Sequence, residues 1–179
     1  MLTPGLNEIL EKFICEITRL QKRQYEKNPN KAKYKRRYYS GLKEVRKHVE
    51  SRRVKFVVIA PDLEKVEVKD GLDDQLYKLF EACRKQNVVF CFGLRRRKLG
   101  YYAHGKGFVG CIGVVNYTGT EEILKDVLIE LVHARNSLKK FKGETDAGID
   151  ISKLVSEDYL PSERVGALLQ ILSPGGVQN

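Results

Sequence analysis

Apolar residues at Leu6, Ile9, Leu10, Phe13, Ile17 and Leu20 recur at intervals of three and four, the spacing of one helical face. Thr3 offers an N-cap and Pro4 a first helical residue, and Asn28-Pro29 closes the pattern, so a long first helix is predicted between them. Leu42, Val45 and Val49 repeat the rhythm in a second helix, with Ser40 placed to cap it. Three continuous apolar runs then interrupt it, at residues 55–60 (KFVVIA), 88–92 and 109–115. The first is rich in β-branched residues and closed by Pro61-Asp62, which predicts a central strand covered on both faces. Between the runs, residues 71–74 supply a turn and cap for a helix carrying Leu76, Leu79, Phe80 and Cys83, with Asp73-Asp74 as the cap. Residues 95–99 fit a short helix, and a glycine-rich loop follows at 105–107.

A turn at 116–119 leads into a helix from Glu121 to about residue 137. Strand and helix therefore alternate. The expected fold is α/β, a three-layer α-β-α sandwich around a small, mostly parallel or mixed sheet. Beyond Phe141, a polar stretch precedes one further helix, with Ser162 as cap and Val165, Leu168, Leu169 and Leu172 on its apolar face, ended by Ser173-Pro174-Gly175-Gly176. The expected organisation is an N-terminal helix over 1–30, a main domain over 31–141, and a linker with an accessory helix over 142–179. No internal repeat is present.

The 179 residues are 42% hydrophobic and 31% charged, which excludes a mostly disordered chain. The longest apolar run falls far short of the roughly 20 residues of a membrane span, and the first residues lack the basic-then-apolar order of a signal peptide. Cys15, Cys83, Cys91 and Cys111 form no CxxC unit and sit in apolar stretches, so they read as reduced core thiols. A cytosolic or nuclear compartment is the expectation, with no membrane partner.

Charge changes the picture more. The chain carries a formal +10, yet residues 19–55 alone hold 15 Lys and Arg against 3 acids, a net +12. The basicity is one block. Tyr25, Tyr34, Tyr38 and Tyr39 are interleaved with it, as in a folded electropositive face that takes phosphate. Catalytic chemistry finds less support: His48, His104 and His133 lie in different elements with no nucleophile or metal-ligand spacing beside them. The segment HGKGFVG lacks the order of a P-loop. Its Phe108 either approaches a nucleic-acid base from a glycine-flanked loop or opens the next strand as a core residue. No enzyme, cofactor, metal or small-molecule substrate is expected.

Two clusters concentrate the candidate contacts. In the first, Lys33, Lys35, Arg36 and Arg37 lead to Gly41, Lys43, Glu44 and Lys47, where glycine at a helix start lets phosphate approach free amides. Glu44 among these cations is either a structural ion pair or the acceptor that reads amino groups on a base edge. The second cluster, Arg95-Arg96-Arg97-Lys98, follows a strand, where arginine can clamp phosphate or stack on a base.

The stretches QKRQYEKNPNKAKYKRR, GLKEVRKH, VVIAPDLEKVEVKDGLDD and FGLRRRKLG stand in this order between residues 19 and 141. Together they closely resemble the C-terminal RNA-binding domain of the SECIS-binding protein 2 family, within the superfamily of ribosomal-protein type that binds kink-turns. The resemblance implies a four-stranded sheet in the sandwich. It implies recognition of the SECIS stem-loop of selenoprotein messenger RNA, at tandem sheared G·A pairs, to recode UGA as selenocysteine. It places Gly41, Lys43, Glu44 and Lys47 on the helix that enters the RNA and Arg96 on a second RNA-facing loop, next to the candidate Arg97, with the ribosome and the selenocysteine-specific elongation factor among the partners. Lys43 stands where the family usually has arginine, and Gly107-Phe108-Val109 where it has valine-proline-valine. The alternative within the same superfamily is a protein of ribosomal or small nucleolar RNA kink-turns.

Overall fold

The computed structural model describes residues 4–64, 71–141 and 160–174. Three of its strands are the three apolar runs: β2 (Phe56–Ile59), β3 (Val89–Phe92) and β4 (Cys111–Val114). The fourth, β1 (Tyr38–Ser40), lies in the basic block and has no apolar run to announce it. The sheet order is β1-β4-β2-β3, with β4 antiparallel to both neighbours and β2 parallel to β3. β2 is interior and wholly buried, as its composition predicts.

The helices are α1 (Pro4–Lys27), α2 (Pro29–Tyr34), α3 (Leu42–Glu50), α4 (Leu72–Lys85), α5 (Arg96–His104), α6 (Glu121–Phe141) and α7 (Pro161–Leu172). Alternation along β2 distributes them between two cores. Phe56 and Val58 join Ile112 and Val114 against Leu10, Phe13 and Ile17 of α1, Leu99 of α5, and Leu124 and Leu128 of α6. Val57 and Ile59 join Cys111 against Val45 and Val49 of α3 and Leu79 and Cys83 of α4. The result is the expected α-β-α sandwich around a four-stranded mixed sheet.

Several local expectations are corrected. Ser40 ends β1, and its Oγ lies 2.9 Å from His104 Nε2, so it caps nothing; Gly41 occupies the N-cap of α3. Asp73 and Asp74 sit in the first turn of α4, behind the Gly71 N-cap, where they favour the positive end of the helix dipole. Ser162 lies inside α7; Leu160 is the N-cap residue, Pro161 takes the first position, and the Leu160 N–H donates to Glu163 Oε2 at 3.3 Å. Helix α5 runs five residues past Leu99, because Gly100 lies against the Gly107 carbonyl and lets the helix continue beneath the loop. Cys15 is exposed, whereas Cys83, Cys91 and Cys111 are buried free thiols whose burial pushes their pKa values up to about 12. The Thr3 cap, residues 65–70 and the stretch 142–159 lie outside the described residues.

Helices at both ends of the chain share the main core. Val165, Leu168 and Leu172 of α7 are buried in the same cluster as α1 and α6. Arg135 of α6 donates to the Leu172 carbonyl at 2.8 Å, satisfying an orphan carbonyl of the last helical turn. Helix α1 is tied to α5 through Glu11, which accepts from Lys98 Nζ at 2.7 Å and from the Tyr102 hydroxyl at 2.8 Å.

Because Leu168 fills the common core, Leu168→Ala should cost about 2 to 5 kcal/mol, read as a lowered urea midpoint; a loosely attached helix would lose less than about 1 kcal/mol. The Lys98 hydrogen bond holds the Glu11 carboxyl below its ordinary pKa, against the opposing effect of burial. Its tie therefore stabilises above the ordinary carboxylate range and is lost as pH falls through the lowered value. Glu11→Gln should lower the Tm at pH 7, and the difference from the unaltered protein should shrink as pH is taken below the ordinary carboxylate range.

Candidate nucleic-acid interface

Four loops meet at one end of the sheet because of the strand directions. β1, β2 and β3 all finish there and β4 starts there. A chain of backbone bonds joins the loops: Gly41 N–H to the Cys111 carbonyl at 2.9 Å, Ala60 N–H to Gly110 at 2.9 Å, Gly93 N–H to Ile59 at 3.0 Å, and Val109 N–H to Arg96 at 3.1 Å. This brings together the two clusters, of which the first ends at Lys47 and the second starts at Arg95.

The start of α3 is open. Gly41 has φ +92°, a conformation side chains rarely adopt, and no atom lies within 4 Å of where a Cβ would stand. No side chain caps the helix, so its first amides and the positive end of its dipole face outward. Lys43, Glu44 and Lys47 are exposed on its first two turns. Glu44 Oε1 lies 3.0 Å from His48 Nε2, and the His48 ring stacks on Tyr39 with centroids 3.6 Å apart. The Arg36 guanidinium lies 5.9 Å from the Tyr39 ring centroid. Glu44 is thus braced on one oxygen, while its side chain keeps 50% exposure. Both roles left open for it in the sequence are compatible with one geometry: a pair within the protein and an outward-facing acceptor.

The second cluster is built in trans. Arg95, the N-cap residue of α5, makes no side-chain cap; Asp62, from the loop after β2, accepts instead from the Arg96 N–H at 2.8 Å. The Arg96 guanidinium donates to Glu64 at 2.8 Å, and its carbon lies 5.7 Å from the Phe108 ring centroid. Phe108 itself is 73% exposed. It is therefore not a core residue, and it presents a ring over a cation at the molecular surface. Arg97, the next residue after Arg96, is exposed.

The basic string divides. Lys33, Lys35 and Arg36 are exposed. Arg37 is half-buried and committed to the fold: its N–H donates to Gln21 Oε1 at 2.6 Å, its guanidinium to the Thr118 carbonyl at 2.7 Å, and its carbonyl accepts from Val115 and Asn116. Sequence reasoning missed Asp62 and Glu64, which orient Arg96, and the Tyr39–His48 stack behind Glu44. The tyrosines interleaved with the basic block carried a signal for the stack. Asp62 and Glu64 carried none, since their partner lies more than 30 residues away.

Residues 23–124 match the ribosomal protein L7Ae/L30e/S12e/Gadd45 family. The chain belongs to this family. Within it, the chain is 33% identical over 146 residues to the selenocysteine insertion sequence-binding protein 2-like protein of Mus musculus, covering 82% of this chain and 13% of that protein. It is 34% identical over 139 residues to selenocysteine insertion sequence-binding protein 2 of Rattus norvegicus, covering 78% of this chain and 16% of that protein. It therefore spans less than a fifth of the length of these relatives. Among solved structures, the Giardia lamblia 15.5kD RNA binding protein has a similar fold, with TM-score 0.51 and 16% identity over 71% of this chain and 88% of that one. The L7Ae-family match includes every residue assigned above to the two clusters.

Gly100 offers a test with an inverted sign. Alanine in a helix interior ordinarily stabilises by about 1 kcal/mol relative to glycine. Here a Cβ would run into the Gly107 carbonyl, so Gly100→Ala should destabilise by about 1 to 3 kcal/mol, measured by urea denaturation.

Proposed function

We propose that this chain reads the SECIS stem-loop of selenoprotein messenger RNA, at its kink-turn-like core of tandem sheared G·A pairs, and so supports recoding of UGA as selenocysteine during translation. The observation that carries this reading is the meeting, at one end of the sheet, of an uncapped α3 start bearing Lys43, Glu44 and Lys47 with an exposed Phe108 ring held over Arg96. Similarity to relatives named for binding the selenocysteine insertion sequence supports the choice of RNA.

Each part has a chemical role. The amides of α3 and the ammonium groups of Lys43 and Lys47 hold phosphate, which supplies affinity without sequence information. The outward face of the Glu44 carboxylate accepts hydrogen bonds from base amino groups, which a Watson–Crick pair would keep engaged. Phe108 gives an unpaired base a stacking surface. The chain binds and recruits and does not catalyse; the ribosome and the selenocysteine-specific elongation factor are the partners it serves, in the cytosol.

A SECIS stem-loop should bind about a hundredfold more tightly than its twin with the G·A pairs made Watson–Crick, a difference of about 2.7 kcal/mol. Both affinities are to be measured at one near-physiological salt concentration. Glu44→Ala should erase most of this preference, whereas Lys43→Ala with Lys47→Ala should weaken both RNAs alike and lower the salt slope by about 1 per lost phosphate contact. Equal binding of the two stem-loops by the unaltered protein would sink the proposal, and stronger binding to a ribosomal kink-turn would move it to the superfamily alternative.

A further inference from the structure

A cleft of about 980 Å³ lies between α1, α2, β1 and α5, on the flank of the molecule that leads from Ser40 away from the α3 start. Lys22 and Lys33 line it without an ion pair among the described residues, and Arg36 joins them at its β1 side. Two exposed rings stand on opposite walls: Tyr25 from α1, 49% exposed, and Tyr101 from α5, 64% exposed. Arg19, on the α1 wall, donates to Glu16 through two bonds of 2.8 and 2.6 Å, so Lys22, Lys33 and Arg36 are the cations the cleft leaves to a ligand.

Cations spaced along a groove together with exposed aromatic rings are the arrangement that holds single-stranded nucleic acid: the cations track phosphates, and the rings stack on successive bases. A duplex has its bases already stacked and offers the rings nothing. We propose that this groove binds an unpaired RNA segment continuous with the structured element held at the α3 start. For the class of ligand the inference rests on the RNA reading above. It goes beyond the family match, because Lys22 and the α1 wall around Cys15 precede residue 23, where that match begins. The floor is rigid where the strand would cross, since the Tyr38 hydroxyl donates to the Ala103 carbonyl at 3.0 Å and ties β1 to α5.

Cys15 gives a direct reporter. It is the exposed thiol among the four cysteines and lines the groove, while the other three are buried. A uridine dodecamer added to the full chain should slow maleimide alkylation of Cys15 by about fivefold or more, as expected for a strand stacked across the groove. The double variant Lys22→Ala, Tyr101→Ala should lose this protection while keeping its discrimination between the G·A stem-loop and its Watson–Crick twin. A dodecamer that leaves Cys15 unprotected, protection equal to that given by a 12-base-pair duplex, or protection retained in the double variant would each overturn the proposal. The two readings fail separately. Loss of discrimination between the stem-loops with Cys15 still protected removes the SECIS assignment and keeps the groove, and the converse result removes the groove alone.

Discussion

The arrangement depends on β4 entering the sheet antiparallel between β1 and β2. Without it β1 would have no sheet partner, since its three residues pair with β4 alone. The same insertion brings residue 110 opposite Ala60 and Cys111 opposite Gly41, and so sets the loops before β4 and after β1 and β2 at one height. Everything assigned to recognition hangs from those loops: the φ of Gly41 aims α3, and the bond from Val109 to Arg96 fixes the segment from which Phe108 projects. A rigid sheet end is what lets side chains from distant parts of the sequence act as one surface.

Charge on this surface is divided between two tasks. Arg37 and Arg96 look in the sequence like their neighbours, yet one is bonded into the fold by a backbone carbonyl and the other is paired with Asp62 and Glu64. Lys22, Lys33, Lys43 and Lys47 are left facing solvent. The planar fork of arginine suits the fixed positions of Arg37 and Arg96, while Arg36 and Arg97 face solvent with these lysines and Lys98 is bonded to Glu11.

Much of the architecture was legible because the strands are nearly pure apolar runs and α1, α3 and α4 have clear apolar stripes. β1 was not, because Tyr-Tyr-Ser is amphipathic, only half-buried and embedded among cations. The serine caps failed for a physical reason: Ser40 and Ser162 have the local chemistry of caps, but β1 pairing claimed the first and Pro161 fixed the helix start one residue ahead of the second. The short helix expected over residues 95–99 runs on to His104, because the missing side chain of Gly100 allows a close contact with Gly107. Of the candidate site, the α3 cluster could be located from residue types, whereas the separation of Arg36 from Arg37 needed a partner 81 residues further on.

The burial of Val165, Leu168 and Leu172 beside α1 and α6 bears on how the chain acquires its structure during synthesis. A ribosome delivers α1 first and α7 last among the described helices. The sheet and the surface at its end can assemble while α7 is still inside the exit tunnel, but the flank of α6 that α7 covers is then bare. Until α7 is delivered, the apolar side chains of α1 and α6 that share its cluster lack that cover, so the main core is complete only once the last described helix has docked.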